Sequence, residues 1–137
     1  KFANGARTAG FQYLFNQALS ANVRQKKVSA ESAGAVDDFL DNYQDMKDAN
    51  TIGADKYFHC KANCEASQRG PIGERTAERI SNLREWIDQN IKGDTSSASQ
   101  ADQRANIYGR QQGRSSPLGD CKALCSSFRP NNLDQRY

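Results

Sequence analysis

Residues 71–93, PIGERTAERISNLREWIDQNIKG, decide the fold class. Ile72, Thr76, Ile80, Leu83, Ile87 and Ile91 advance in steps of three or four, the recurrence of one face of an α-helix. Lys92 and Gly93 close that helix. Towards the N-terminus, Tyr57, Phe58, Cys60, Cys64 and Ala66 belong to a helix that Gly70-Pro71 stops, because proline disfavours a helical residue before it. Val36, Phe39, Leu40, Tyr43 and Met46 form the stripe of an earlier helix, ended by Gly53. Towards the C-terminus, Ser97 with Gln100 has the pattern of a capping box. It opens a helix whose apolar face, Ala98, Ala101, Ala105 and Tyr108, is small. Gly109, Gly113, Pro117 and Gly119 then break regularity, Gly70 and Gly73 read as turn residues, and a tail runs from Cys121 to Tyr137. No segment alternates like a strand, so the expected fold is all-α.

The chain of 137 residues is one domain's worth, with 36% hydrophobic and 26% charged residues and a mean hydropathy of −0.88. No apolar run approaches the roughly 18–20 residues of a membrane span, and residues 1–20 lack the apolar stretch of a signal peptide. An export signal is therefore expected outside this sequence. Residues 1–30 read as a separate N-terminal junction, with Phe2, Phe11, Leu14, Phe15, Ala18 and Leu19 at loosely helical spacing before Arg24, Lys26 and Lys27. That segment is either a partly ordered flank or an amphipathic helix for a partner or membrane surface. Residues 31–137 read as the helical domain. A net charge of +3 does not call for nucleic acid. Six acids face one lysine in residues 31–48, whereas six cations face two acids in residues 104–137. The expectation is that these ends attract and hold the tail to the body, with an anionic partner as the alternative.

The four cysteines repeat one spacing, Cys60-x3-Cys64 and Cys121-x3-Cys125. Four helical residues bring two thiols onto one face. On antiparallel segments they can pair Cys60 with Cys125 and Cys64 with Cys121, one of three possible connectivities. A four-thiolate zinc site is the rival, although such sites more often use a two-residue gap. Disulfides are the preferred reading, which places the folded chain in an oxidising compartment. Neither a metal nor a cofactor is expected.

The run Asp45-Met46-Lys47-Asp48-Ala49-Asn50-Thr51-Ile52-Gly53-Ala54-Asp55-Lys56-Tyr57-Phe58-His59 closely resembles serum amyloid A. The likeness continues through Arg69-Gly70-Pro71-Ile72-Gly73, Ile80-Ser81-Asn82-Leu83-Arg84-Glu85, and Ala101-Asp102-Gln103-Arg104-Ala105-Asn106-Ile107-Tyr108-Gly109-Arg110. It ends in Phe128-Arg129-Pro130, Leu133 and Tyr137, covering residues 36–137 in order. The resemblance implies a four-helix bundle with a long C-terminal tail packed on it, here pinned by the cysteines and preceded by an N-terminal flanking helix. The animal proteins lack these cysteines, and an insertion around residues 113–127 supplies the second pair. At the other end, Lys1-Phe2-Ala3-Asn4-Gly5-Ala6-Arg7-Thr8-Ala9-Gly10-Phe11 looks like the junction before C-terminal toxin domains of bacterial Rhs and filamentous-haemagglutinin-type polymorphic toxins.

Together the two resemblances imply a non-enzymatic effector domain of a secreted bacterial polymorphic toxin, working at the target-cell envelope or periplasm. It would bind or permeabilise lipid membranes through Phe11, Leu14 and Phe15 and through Ile80, Leu83, Trp86, Ile87 and Ile91. A cognate immunity protein is the expected protein partner, and a homo-oligomer is left open. One alternative is an enzymatic toxin in which His59, the only histidine, is general base. Asp55 would orient it one turn away, with Arg84 and Glu85 approaching from the next helix. Against this, the same string occurs in the animal family, which is not known for catalysis. The other alternative is a secreted carrier of lipid or another apolar ligand, like the animal proteins.

Overall fold

The computed structural model describes residues 30–93 and 95–137, together with Tyr13, Asn16 and Gln17. Among these, the expected all-α fold is observed: α1 (Ala30–Ala49), α2 (Asp55–Gln68), α3 (Pro71–Asn90) and α4 (Ser96–Ser115) are followed by the short α5 (Cys121–Leu124) and a 3-10 turn, Ser126–Phe128. No described helix is long and apolar enough to cross a membrane.

The centre of the bundle is α2, which is buried almost all round, from Tyr57 through Ser67. The other helices and the tail cover it, so it does not need one apolar stripe. Met46 of α1 joins Tyr57, Phe58, Ala105, Leu133 and Tyr137 in one apolar cluster. Phe39 joins Ala62, Ala66, Ala77 and Ile80 in a second. Between α1 and α2 the chain turns through Asn50, at φ 43°, and Gly53, at φ 82°. The helix thus stops at Ala49, before the glycine expected to end it. Gly70, at φ 124°, precedes Pro71, whose missing N–H costs nothing at a first helical position. The carboxylate of Glu31 accepts the Ile72 N–H at 3.0 Å, placing an α1 acid at the positive end of α3.

Two readings of α4 are corrected. Thr95 caps it, its hydroxyl accepting the Ala98 N–H, in place of a Ser97–Gln100 box. The helix also continues through Gly109 and Gly113 to Ser115, because these glycines face α2 and are not turn residues. A Cβ on Gly109 would stand 2.2 Å from the Cys60 carbonyl oxygen, and one on Gly113 equally close to that of Cys64. Gly73 is likewise helical, tight against the Ala66 carbonyl.

The cysteines close as Cys60–Cys125 and Cys64–Cys121, each with Cα atoms 5.9 Å apart. Arg129 then gathers the tail: its guanidinium lies 5.1 Å from the Tyr57 ring centroid and donates to the carbonyls of Tyr137 and Asp134. The electrostatic tether expected between the two ends does not take the form of a direct ion pair. Among the described residues no salt bridge joins 31–48 to 104–137. Asp38 pairs with Arg69, Asp45 with Lys61, and Arg114 with Glu74.

Reduction is expected to lower the melting temperature strongly, since each disulfide contributes about 2–4 kcal/mol. Thermal melts with and without reductant, and of the Cys60→Ala/Cys125→Ala variant, measure this. Gly109→Ala should destabilise by about 3 kcal/mol or more, because a carbonyl cannot move aside. Gly53→Ala, with open space around it, should cost only the roughly 1 kcal/mol of its left-handed backbone. Equal losses at the two positions would contradict the close helix contact.

Candidate functional site

Because α4 lies so close to α2, the side chains beside its glycines meet those of α2 inside the bundle. His59 and Asn63 stand one turn apart on α2, while Asp102, Asn106 and Arg110 stand one turn apart on α4. From α3 come Ser81, Arg84, Glu85 and Asp88. Ser81, Glu85 and Asp88 are buried although polar.

The direction of the hydrogen bonds follows from Arg110, whose guanidinium can only donate. It donates to Asn63 Oδ1 at 3.0 Å, as does the Ser81 hydroxyl. The Asn63 amide nitrogen then donates to Asn106 Oδ1 at 3.0 Å and to the His59 carbonyl at 2.8 Å. Asn106 Oδ1 is thereby an acceptor, so His59 Nδ1, 2.9 Å away, carries the proton it donates. The imidazole keeps its lone pair on Nε2.

That lone pair has no hydrogen-bond partner, and it faces Asp102 Oδ2 at 3.8 Å. Glu85 accepts one hydrogen bond, 2.8 Å from the Ser99 hydroxyl, through Oε2, while its buried Oε1 has none. His59, Glu85 and Asp102 each offer one atom within 4.8 Å of the others. Burial, with the positive charge of Arg84, holds the His59 pKa well below the usual imidazole value. Burial raises both carboxyl groups, and the negative charge of Asp55 adds to the effect at Asp102.

The catalytic alternative does not fit this arrangement. Asp55 pairs with Lys56 at 3.2 Å and does not orient His59; Asn106 does. Arg84 pairs with Asp88. Only 2% of the His59 side chain is exposed, which leaves no room for a substrate on the imidazole. A narrow cleft of about 20 Å³ between α1, α2 and α3 reaches His59 and Arg84, a space for about one water.

The lipid-contact candidates separate. Ile80 and Ile87 are core residues, Leu83 is half-buried, and Trp86 and Ile91 are 55% and 64% exposed. Phe11, Leu14 and Phe15 lie outside the described residues. Sequence reading missed Asn63, Asp88, Ser99, Asp102 and Asn106 as interior groups. The available signal was the facing one-turn ladders, His59-x3-Asn63 and Asp102-x3-Asn106-x3-Arg110.

Asn106→Ala should destabilise the fold by about 2–4 kcal/mol, since it leaves the His59 Nδ1–H and an Asn63 N–H buried without an acceptor. Urea unfolding measures the loss, with exposed Arg104→Ala as the near-neutral control.

The family model described as "Serum amyloid A protein" matches residues 25–137. The duck (Anas platyrhynchos) serum amyloid A protein is 38% identical over 107 residues, covering 78% of this chain and 76% of its own. Rabbit (Oryctolagus cuniculus) serum amyloid A-2 is 39% identical over 107 residues, covering 78% and 79%. Human serum amyloid A-1 is 42% identical over 95 residues, covering 69% of each chain. These animal relatives overturn the toxin reading suggested by residues 1–11, and with it the immunity partner, and they lend no support to a target-cell location. Proteins of this kind are secreted and are not enzymes, consistent with the two disulfides and the enclosed histidine. With most of its length aligned to one helical protein type, the chain belongs to the serum amyloid A family.

Proposed function

We propose that this chain is a secreted, non-catalytic carrier that holds lipid or another apolar ligand on its helix surfaces. The observation that supports this reading is the offset between the apolar stripe of α3 and the face it buries. Gly73, Ala77, Ser81, Glu85 and Asp88 are among its buried residues, an arc rotated by roughly a quarter turn from the isoleucine stripe at about 100° per residue. The isoleucine edge is left at the rim, where Ile72 (42% exposed) and Trp86 lie on one side of the helix. Large apolar side chains exposed along one side of a helix are the kind of surface that an acyl chain or lipid interface covers. The cleft beside His59, at about 20 Å³, is far below the roughly 300 Å³ that a small-molecule pocket needs. That cleft is too small for such a ligand, and our proposal puts it on the outside of the bundle.

Trp86 is the only tryptophan and reports directly on this edge. Adding phosphatidylcholine vesicles to the full chain should shift its emission to the blue, and the protein should float with the vesicles. Ile72→Ser/Ile91→Ser, both at exposed positions, should weaken binding with little change in melting temperature. Unshifted emission with no flotation would remove the proposal.

A further inference from the structure

We propose that His59 Nε2, Glu85 and Asp102 form an interior binding site for one divalent transition-metal ion, with Zn²⁺ the best fit. The site is built from lone pairs with no donor among them. Arg110 fixes Asn63, Asn63 fixes Asn106, and Asn106 takes the only imidazole proton, so Nε2 is an acceptor. Its neighbours are carboxylates, also acceptors when ionised. His59 Nε2 and Glu85 Oε1 are both without a hydrogen-bond partner, and Glu85 is only 3% exposed. Buried acceptors that meet without a donor call for a partner between them, and one divalent ion satisfies all three at once.

The surrounding cations do not fill that role. Arg84 and Lys92 pair with Asp88, while Lys56 divides between Asp55 and Asp102 Oδ1, 3.6 Å away, and leaves Asp102 Oδ2 on the histidine side. Among the described residues no lysine or arginine is within ion-pair distance of Glu85. Two ionised carboxylates and a neutral imidazole balance a charge of +2. One nitrogen with carboxylate oxygens suits Zn²⁺ better than Ca²⁺ or Mg²⁺, which favour more oxygen ligands. Tetrahedral bonds of about 2.1 Å hold ligand atoms roughly 3.4 Å apart, a short closure from the 3.8 Å already present between Nε2 and Asp102 Oδ2. The Nδ1–H bond to Asn106 is the outer contact that a metal-bound histidine ordinarily has.

The chain supplies its own control, since His59 is the only histidine and every described cysteine is in a disulfide. Tag-free protein stripped with chelator, dialysed against Zn²⁺ and assayed by elemental analysis, should retain one ion per chain. The proton signals of the His59 ring should shift on titration with Zn²⁺. Glu85→Gln and Asp102→Asn keep the side-chain shapes. Each should weaken binding by more than the ~10–100-fold typical of losing an outer contact, with helical circular dichroism retained. Absent uptake in the native chain would mean that protons, not a metal, sit between the three groups, and would overturn the site. Uptake that leaves the His59 signals unmoved, or that persists undiminished in both folded variants, would overturn it as well.

Discussion

The approach of α4 to α2 is the constraint on which the remaining structure depends. Gly109 and Gly113 let two helix backbones touch at the carbonyls of Cys60 and Cys64. No side chain larger than hydrogen fits there without moving a helix. The same two residues of α2 use their sulfurs to hold Cys125 and Cys121. One turn of α2 is therefore fixed through its backbone by α4 and through its side chains by the tail. Arg129 and the Phe58–Tyr137 ring contact extend the second attachment to the last residues.

Close approach also sets the register of the polar interior. With Gly109 over Cys60, Asn106 comes beside His59 and Asn63, and Arg110 reaches Asn63 from the other side. A low-dielectric interior makes each bond in such a chain matter, because a lost partner leaves a buried group unsolvated. The chain has a direction, running from a group that can only donate to an imidazole lone pair. It is satisfied at the Arg110 end and leaves acceptors unsatisfied at the other. A histidine so enclosed is held in one tautomer and one orientation, out of reach of the external substrate that a general base must meet.

The fold was largely legible because its signals are local. Helical spacing, Gly70-Pro71 and the paired x3 cysteine spacings predict elements and staples that the structure contains. The interior was less legible for a physical reason. Hydropathy patterns locate faces that exclude water, whereas α3 turns Ser81, Glu85 and Asp88 inward because partners on α2, α4 and α3 itself receive them. Gly109 and Gly113 were misread because a glycine that breaks a helix and one that admits a neighbouring backbone look alike in one sequence. The departure of residues 1–11 from the animal proteins suggested a second resemblance, but the aligned relatives outweigh so short a match.

Interior polarity and surface apolarity are two sides of one rotation. If α3 turned its isoleucine stripe fully inward, Glu85 and Asp88 would swing outward and Asn63 would lose the Ser81 hydroxyl. If it keeps the network, the residues at the far edge of the stripe must stay at the rim. Ile80 and Ile87 lie where the two arcs overlap, and they are the stripe residues that reach the core. The apolar burial that α3 forgoes must be recovered elsewhere in a chain of this size. It is recovered around α2, where small residues bring helices close and two disulfides restrict the unfolded chain. The staples thus stabilise a bundle whose third helix carries a polar inner face and leaves part of its apolar face outside.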